Sequence, residues 1–361
     1  MLTSPASSSL PAPTSPGRLG AIAGRSLAAM PTVWRILWRV PMLLALAALV
    51  FFVLRVLPAD PMGMLLPPSA TPADVKALTE ALGLDKPIPV QFGIWLGNAL
   101  HGDLGRTLTS GLQVTPLILK ALPTTLQLIA CGLLLGMVFG IGGGLLAFRY
   151  RGTRIERAVE VVNSISISVP EFLWAILLIL GVGIGLQWLP FLGQLDAGLM
   201  VPSVTGFLLV DAVLAGDLPA LWSAAKHLAL PSFALSLGIA PPLMRILHSS
   251  LLDAYTEDYV SAARLRGLSE NRILVRHALK NAALPTVSML GIQASTVIGG
   301  TLLIETIFGF PGIGSLMVNA IGAHDLPMIQ GLALTYAVAV QAVNMVTDAV
   351  LLLLNPRLRT P

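Results

Sequence analysis

The sequence contains little charge and almost no cysteine. Charged residues make up 11% of the 361 residues, against about 25% in an ordinary soluble domain, so the composition indicates lipid as the main solvent. The single cysteine, Cys131, excludes an intrachain disulfide and a cysteine-based metal cluster. The net charge of +4 is sorted along the chain rather than gathered on one folded domain, which argues against a nucleic-acid partner.

The hydrophobic residues, 55% of the total, lie largely in six long runs. Each run approaches the roughly 20 residues that a helix needs to cross a hydrocarbon core. The runs are continuously apolar, which favours helices over strands of alternating polarity. The predicted spans cover residues 36–54, 122–148, 159–186, 228–247, 284–304 and 331–354. We therefore expect an all-α membrane protein, with a flexible tail over residues 1–27 and a transmembrane domain over 28–361.

The basic residues predict the orientation in the membrane. Sixteen of the 22 Lys and Arg residues fall in the N-terminal tail, the loops after the second and fourth spans, and the C-terminal tail. The opposite side has six, spread over much longer loops. Because basic loops remain in the cytoplasm, both termini should be cytoplasmic.

Two loops carry signals of their own. The outer loop, residues 58–121, predicts a helix from Thr71 to Gly83 and a second around residues 90–100. It is either a structured cap over the outer mouth or a docking surface for an outside partner.

The cytoplasmic loop, residues 248–283, predicts two short helices. Thr256 is expected to cap the first and Gly267 to end it, while Ser269 starts the second. The second helix should have a basic stripe and an opposite apolar face, formed respectively by Arg272, Arg276 and Lys280 and by Val275, Ala278, Leu279 and Ala282. Small residues on the first helix favour a protein docking site, and a membrane-surface helix is the alternative.

Short motifs on both sides of the predicted membrane mark a family resemblance. The cytoplasmic loop contains Glu257-Asp258-Tyr259-Val260-Ser261-Ala262-Ala263-Arg264-Leu265-Arg266-Gly267-Leu268, followed by Leu284-Pro285. The other motifs are Leu57-Pro58-Ala59-Asp60-Pro61, Gly83-Leu84-Asp85-Lys86-Pro87, Gly102-Asp103-Leu104-Gly105, Glu305-Thr306-Ile307-Phe308, Pro311-Gly312-Ile313-Gly314 and Asn355-Pro356-Arg357. Over residues 34–359 they resemble the EAA loop and flanking motifs of ABC importer membrane subunits of the dipeptide, oligopeptide and nickel branch. Ser261 replaces the Glu of the loop's name, and Ala59 replaces the usual Gly.

This resemblance implies a type I ABC importer permease fold, with a coupling helix at about residues 257–267. It implies half of a translocation path in the bacterial inner membrane, for a peptide or another small solute. The implied partners are a second, related pore subunit in a heterodimer, two cytoplasmic ATPase subunits and an external solute-binding protein. The residues assigned to ATPase coupling are Glu257, Asp258, Ser261, Ala262, Ala263, Arg264 and Gly267. Since the sequence contains no Gly-x-x-x-x-Gly-Lys-Ser/Thr run, ATP hydrolysis is expected in the partners.

Four polar residues inside or at the ends of the spans are candidates for the translocation path: Glu171, Glu305, Asn344 and Asp348. Glu171 follows Pro170 and either faces the path or is a hydrogen-bonded acid at a proline kink. Asn344 and Asp348 lie one turn apart and either tie helices together or contact the solute. Glu305, at the outer end of the fifth span, is a candidate for the outer gate.

Other functional classes remain open. An ion-coupled secondary transporter or channel subunit could also have six spans, although it would not need the EAA-like loop. A membrane-embedded enzyme would need a convergent catalytic set, and the sequence places none at one depth. The five histidines lie far apart, so neither a metal site nor a cofactor is expected. Gly136, Gly140 and Gly144 recur every four residues and predict close helix packing.

Overall fold

The computed structural model describes residues 32–56, residue 73 and residues 85–354. The α-helices of this part are α1 (Thr32–Val56), α2 (Ile88–Leu100), α3 (Val114–Arg149), α4 (Arg154–Ser168), α5 (Glu171–Leu178), α6 (Leu208–Leu214), α7 (Leu218–Thr256), α8 (Asp258–Leu265), α9 (Glu270–Ile273), α10 (Leu279–Phe308), α11 (Ile313–Gly322) and α12 (Leu326–Leu354). Two π-helical segments, Ile179–Gly185 and Leu274–Ala278, extend α5 and join α9 to α10. The all-α prediction is confirmed.

The predicted spans correspond to the long helices. α3, α7, α12 and the continuous stretch Glu270–Phe308 are long and apolar enough to cross a membrane, and the bent pair of α4 and α5 would make a fifth crossing. α1 has 25 residues and covers the first predicted span. All six predicted spans therefore fall on a helix or on the bent pair, and the count of six crossings remains a prediction.

The third predicted span, residues 159–186, bends sharply. α4 ends at Ser168 and α5 begins at Glu171, and the two helices are bent by 101°. Val169 is extended, with φ −111° and ψ 126°, because the ring of Pro170 disfavours helical backbone at the preceding residue. The chain thus turns abruptly where the sequence predicts a kinked span.

α3 and α7 form the most extensive helix pair. The facing positions recur every four residues on both helices: Gly132, Gly136, Gly140 and Gly144 lie against Leu235, Ile239, Leu243 and Leu247. A Cβ atom at Gly136 would lie 2.6 Å from Ile239 Cγ2, and one at Gly140 would lie 3.0 Å from the carbonyl oxygen of Ala240. The glycines thus permit close approach of the two backbones, as predicted for the last three of them.

The largest core cluster surrounds α7. Leu235 is fully buried together with Leu128 of α3, Ala175 of α5 and Ile298 of α10. Since lipid is as apolar as these side chains, the contacts stabilise the bundle chiefly through close packing. α7 is therefore the central helix against which the other spans are arranged.

Two buried aspartates fasten segments on the predicted outer side. Asp325 accepts hydrogen bonds from the backbone N–H groups of Leu108 and Thr109, at 2.9 and 3.3 Å. Asp211 accepts them from Thr205 and Gly206, at 2.8 and 3.0 Å. These contacts hold the loops before α3 and α6 in place.

The predicted outer loop is described only in part. Its second predicted helix, around residues 90–100, is present as α2. The first, from Thr71 to Gly83, lies outside the described residues apart from residue 73. The choice between a structural cap and a docking surface therefore stays open.

Candidate functional site

The predicted cytoplasmic loop, residues 248–283, contains the short helices α8 and α9, but Thr256 does not cap α8. Thr256 is the last residue of α7, and its Oγ1 donates a hydrogen bond to the carbonyl oxygen of Asp253 at 2.7 Å. Glu257 instead occupies the N-cap position, with φ −75° and ψ 146°. The predicted cap is wrong because Thr256 is itself the last helical residue of α7, and the extended residue that precedes α8 is Glu257. Gly267 follows α8 with φ +75°, the left-handed conformation expected of it.

One face of α8 is buried inside this chain. Val260 and Ala263 pack with Ile273 in a small core cluster, and Ala263 is only 6% exposed. Five of the seven residues assigned to coupling lie on α8, and Glu257 and Gly267 flank it. Ala263, however, packs against the rest of this chain. Ala263 is therefore not part of the surface that α8 offers to a partner.

The opposite face of α8 is exposed and has four residues at helical spacing. They are Asp258, Ser261, Ala262 and Leu265. Leu265 is 90% exposed, which is unusual for a large aliphatic side chain beside two small residues. Leu265 is not among the residues assigned to coupling from the sequence, although its spacing of four from Ser261 and seven from Asp258 places it on that face.

An aromatic and cationic cluster joins α8 to the ends of α3 and α7. Arg151 lies over the rings of Phe148 and Tyr255, with its Cζ 4.7 and 5.3 Å from the ring centroids. Arg264 lies 5.6 Å from the Tyr255 centroid and donates a hydrogen bond to Glu270 at 2.7 Å. Because the Glu270 carboxylate accepts this hydrogen bond, it raises the pKa of Arg264. Tyr255 is thus in contact with guanidinium groups from two segments of the chain.

The second predicted cytoplasmic helix has an irregular backbone. The π-helical segment Leu274–Ala278 replaces regular α-helix after α9. A π-turn adds a residue to the helical repeat, so four-residue spacing does not keep one face across it. Ala278 and Ala282 are buried as predicted, but Val275 is 63% exposed, so the predicted apolar face is wrong at Val275.

Glu171 lies in a space left by glycines. A Cβ atom at Gly238 of α7 would lie 2.7 Å from its Oε2, and one at Gly300 of α10 would overlap its Oε1. Gly238 is near the midpoint of the 39-residue α7. The carboxylate is partly exposed and makes no hydrogen bond or ion pair with any described residue. The predicted alternative of a hydrogen-bonded acid therefore has no partner in the described chain.

Glu305 is fully buried and has three hydrogen-bond donors. Its carboxylate accepts from Thr125 Oγ1 at 2.5 Å and from the backbone N–H groups of Gly314 and Ser315 at 2.8 and 3.1 Å. Gly314 and Ser315 are in the first turn of α11, where a negative charge is favourable. Glu305 therefore joins α10 to α3 and α11, and its assignment to an outer gate remains a prediction.

Asn344 and Asp348 each contact a neighbouring helix. Asn344 Oδ1 accepts a hydrogen bond from Ser295 Oγ of α10 at 2.9 Å. Asp348 pairs with Arg39 of α1, whose Nη2 lies 2.5 Å from its Oδ2. These contacts tie α12 to two helices. The four path candidates thus have separate surroundings and do not form one cluster in the described chain.

Three groups able to ligate a metal do come together at the ends of α4 and α7. Donor atoms of Glu156, Glu160 and His248 lie within 4.8 Å of one another. His248 Nε2 lies 3.3 Å from Glu156 Oε1, and Glu160 is exposed. A pair between His248 and Glu156 accounts for this approach, so the arrangement does not require a metal ion.

The helical arrangement is similar to that of a solved importer. The chain aligns with an inward-facing structure of the MetNI methionine ABC transporter, with a TM-score of 0.50 and 18% identity. The alignment covers 66% of this chain and 96% of the other. At this level of identity the likeness shows the fold, which is that of an ABC importer permease.

Two bacterial permeases are similar over most of their length. The chain is 34% identical over 321 residues to the di/tripeptide transport system permease protein DppB of Pseudomonas aeruginosa, covering 89% of this chain and 96% of the relative. It is 31% identical over 325 residues to the oligopeptide transport system permease protein AppB of Bacillus subtilis, covering 90% and 97%.

Two family descriptions together match nearly the whole chain. Residues 31–129 match the N-terminal part of the membrane component of binding-protein-dependent transport systems. Residues 132–360 match the binding-protein-dependent transport system inner membrane component itself. The chain therefore belongs to the family of inner-membrane permease components of binding-protein-dependent ABC importers.

Proposed function

We propose that this permease forms half of the translocation path of an ATP-driven importer for peptides. The observation that carries the proposal is the exposed face of α8, where Ser261, Ala262 and Leu265 lie together on the predicted cytoplasmic side. Small side chains allow a partner surface to approach closely, and an exposed leucine gains free energy when a partner covers it. Contact of this face with a cytoplasmic ATPase subunit is therefore more favourable than its exposure to water.

The contacts of α8 supply a route for the motion of an ATPase. Val260 and Ala263 fix α8 to Ile273, and the π-helical segment beyond Ile273 continues directly into α10. Arg264 and Arg151, on either side of Tyr255, connect α8 to α7 and to the end of α3. A displacement of α8 is therefore transmitted to three of the predicted spans, which alternate between inward-open and outward-open arrangements.

The remaining partners follow from the family and from the relatives. A second, related pore subunit completes the path, and a solute-binding protein delivers the solute at the outer side. The bacterial inner membrane, with both termini in the cytoplasm, is the proposed location, supported by the distribution of basic residues. The peptide class of solute is supported by the di/tripeptide and oligopeptide permeases, which share about a third of their residues with this chain.

Reconstitution of the complete importer tests this function. Vesicles that contain this chain, its second pore subunit and the ATPase subunits, with ATP on the ATPase side and loaded binding protein on the other, should accumulate labelled trialanine. Ala262→Trp should abolish that uptake, because the indole would occupy the close-approach surface on α8. Val275→Trp is the matched control, since Val275 is exposed but lies outside α8. Equal uptake with and without ATP would contradict the proposal and favour an ion-coupled transporter or a channel.

A further inference from the structure

Glu171, which is partly exposed, differs from the buried acids of the described chain. Glu305 accepts three hydrogen bonds and Asp325 accepts four. Glu171 accepts none from any described residue, although its carboxylate is packed against Gly238 and Gly300. An ionised carboxylate facing lipid near the membrane centre costs at least about 2.5 kcal/mol. A counter-group from outside the described chain would offset that cost.

The surface next to Glu171 is open. On α10, Ile292, Thr296, Gly299 and Leu303 are exposed at spacings of four, three and four residues, so they form one stripe along the helix. Gly299 has no heavy atom within 4 Å of the position that its Cβ would occupy. Because Gly299 and Thr296 adjoin Gly300 on the helix surface, the Glu171 carboxylate lies at the edge of this stripe.

The chemistry of this place suits a primary ammonium group. Thr296 Oγ1 donates its hydrogen to the carbonyl oxygen of Ile292 at 3.0 Å, so the hydroxyl has lone pairs left to accept a hydrogen bond. An ammonium group has three donors and no acceptor, which matches a carboxylate and a hydroxyl oxygen. A divalent metal ion would need about six oxygen ligands, more than Glu171 and Thr296 supply.

We propose that Glu171 binds the ammonium group of the transported solute, which makes a free amino group part of what the path selects. This inference rests on the proposed function as a peptide importer. The carboxylate is held between α7 and α10 at mid-membrane, where an arriving cation would replace water with a charge-assisted hydrogen bond. Gly238 and Gly300 are positioning residues, because only glycine leaves room for the carboxylate there.

The test compares two probes in the reconstituted importer. Trialanine has a free ammonium group, and N-acetyl-trialanine does not. For each probe, uptake by a variant is divided by uptake by the unchanged importer, so that the preference of the binding protein cancels. Glu171→Gln should lower the trialanine ratio by roughly tenfold, the size of a hydrogen bond to a charged group. The N-acetyl-trialanine ratio and the ATPase rate with loaded binding protein should stay within about twofold.

A glycine pair gives an independent check that leaves the acid in place. Gly300→Ala should lower the trialanine ratio as Glu171→Gln does, because the added methyl group displaces the carboxylate. Gly299→Ala adds the same methyl group into open space and should behave as the unchanged chain.

Three results would overturn the inference. They are full trialanine uptake by Glu171→Gln, an equal fall for both probes, and loss of the second pore subunit on purification of Glu171→Gln, which would assign the carboxylate to a subunit contact. Absence of ATP-dependent uptake by the unchanged importer is a different result, since it would refute the proposed function itself.

Discussion

At the scale of single residues, several acidic side chains of the described chain connect different helices or loops. Glu305 joins α10 to α11, Asp325 joins the start of α12 to the loop before α3, and Asp348 joins α12 to α1. Each of these carboxylates accepts hydrogen bonds from backbone N–H groups or pairs with a guanidinium. These three acids therefore fix the arrangement of helices, whereas Glu171 makes no such contact with a described residue.

Asp211 gives a pH-dependent prediction. Hydrogen bonds from Thr205, its side chain foremost, hold the pKa of Asp211 below its usual value. The stabilisation is therefore complete above the unfolded pKa of about 3.9 and is lost as the pH falls through the lower folded pKa. Amide hydrogen exchange over residues 204–211, corrected for intrinsic rates, should show protection above pH ~4 that declines below it.

A substitution checks that assignment. Asp211→Asn should lower protection of the same amides at neutral pH, because a neutral amide oxygen accepts more weakly than a carboxylate. Asp196→Asn is the control, since that side chain is 57% exposed. Unchanged protection in Asp211→Asn would show that the loop is held by other contacts.

At the scale of helices, glycine spacing and surface exposure decide which helix faces meet. The contact between α3 and α7, here called the seam, depends on the absence of side chains at Gly132, Gly136, Gly140 and Gly144. By contrast, α8 has an exposed face with no partner in the described chain. The facing surfaces of α3 and α7 thus pack within this chain, whereas the exposed face of α8 is free to contact another subunit.

The seam predicts opposite effects for two substitutions on α3. Gly140→Ala should destabilise the protein by about 1–3 kcal/mol, because the new methyl group lies against Leu243 and the carbonyl oxygen of Ala240. The methyl group added by Gly142→Ala would meet no other atom within 4 Å. This substitution should leave the free energy of unfolding unchanged or raise it by up to about 1 kcal/mol, because alanine has the higher helix propensity. Thermal unfolding in detergent measures both, and equal melting temperatures would refute the seam.

The exposed leucine of α8 predicts a loss of assembly. Leu265→Ser should weaken binding of the ATPase subunits by about 2 kcal/mol, or roughly 30-fold, because burial of a leucine side chain contributes that much. Val275→Ser removes exposed apolar surface outside α8 and should leave the affinity unchanged. Titration of the purified membrane subunits with ATPase measures the difference, and equal affinities for both variants would remove Leu265 from the docking face.

At the scale of the whole molecule, the orientation in the membrane is open to direct labelling. In a Cys131→Ser background, Met200→Cys should react with a membrane-impermeant maleimide added outside intact cells, because Met200 is 89% exposed in the predicted outer loop before α6. Ser261→Cys, expressed without the ATPase subunits, should react only after permeabilisation. The reverse pattern would invert the predicted topology.

Sequence patterns predicted the parts of the structure that depend on local periodicity. Long apolar runs predicted the helices, and four-residue glycine spacing predicted the seam of α3 and α7. A kink at Pro170 was predicted, but its angle of 101° and the π-helical segment after Ile273 were not, because neither changes the apolar content of the chain. Val275 lies within that π-helical segment and is exposed.

The candidate site was predicted in position more accurately than in orientation. Five of the seven residues assigned to coupling lie on α8, with Glu257 before it and Gly267 after it, but Ala263 faces inward and Leu265 faces outward. Their role in coupling remains a prediction. That distinction depends on packing against Ile273, ten residues along the chain. The contact of Arg151 with Tyr255 joins residues about a hundred positions apart, which no local pattern reveals.

Residues 270–308 form one helical stretch of 39 residues without a break. At 1.5 Å per residue it is about 58 Å long, nearly twice the roughly 30 Å of the hydrocarbon core. Its first turns belong to the predicted cytoplasmic loop, and its last turn contains Glu305, which is bonded to α11. In the proposed transport cycle, a tilt of this stretch about a point inside the bilayer moves its two ends in opposite directions, with no relay of side chains between them.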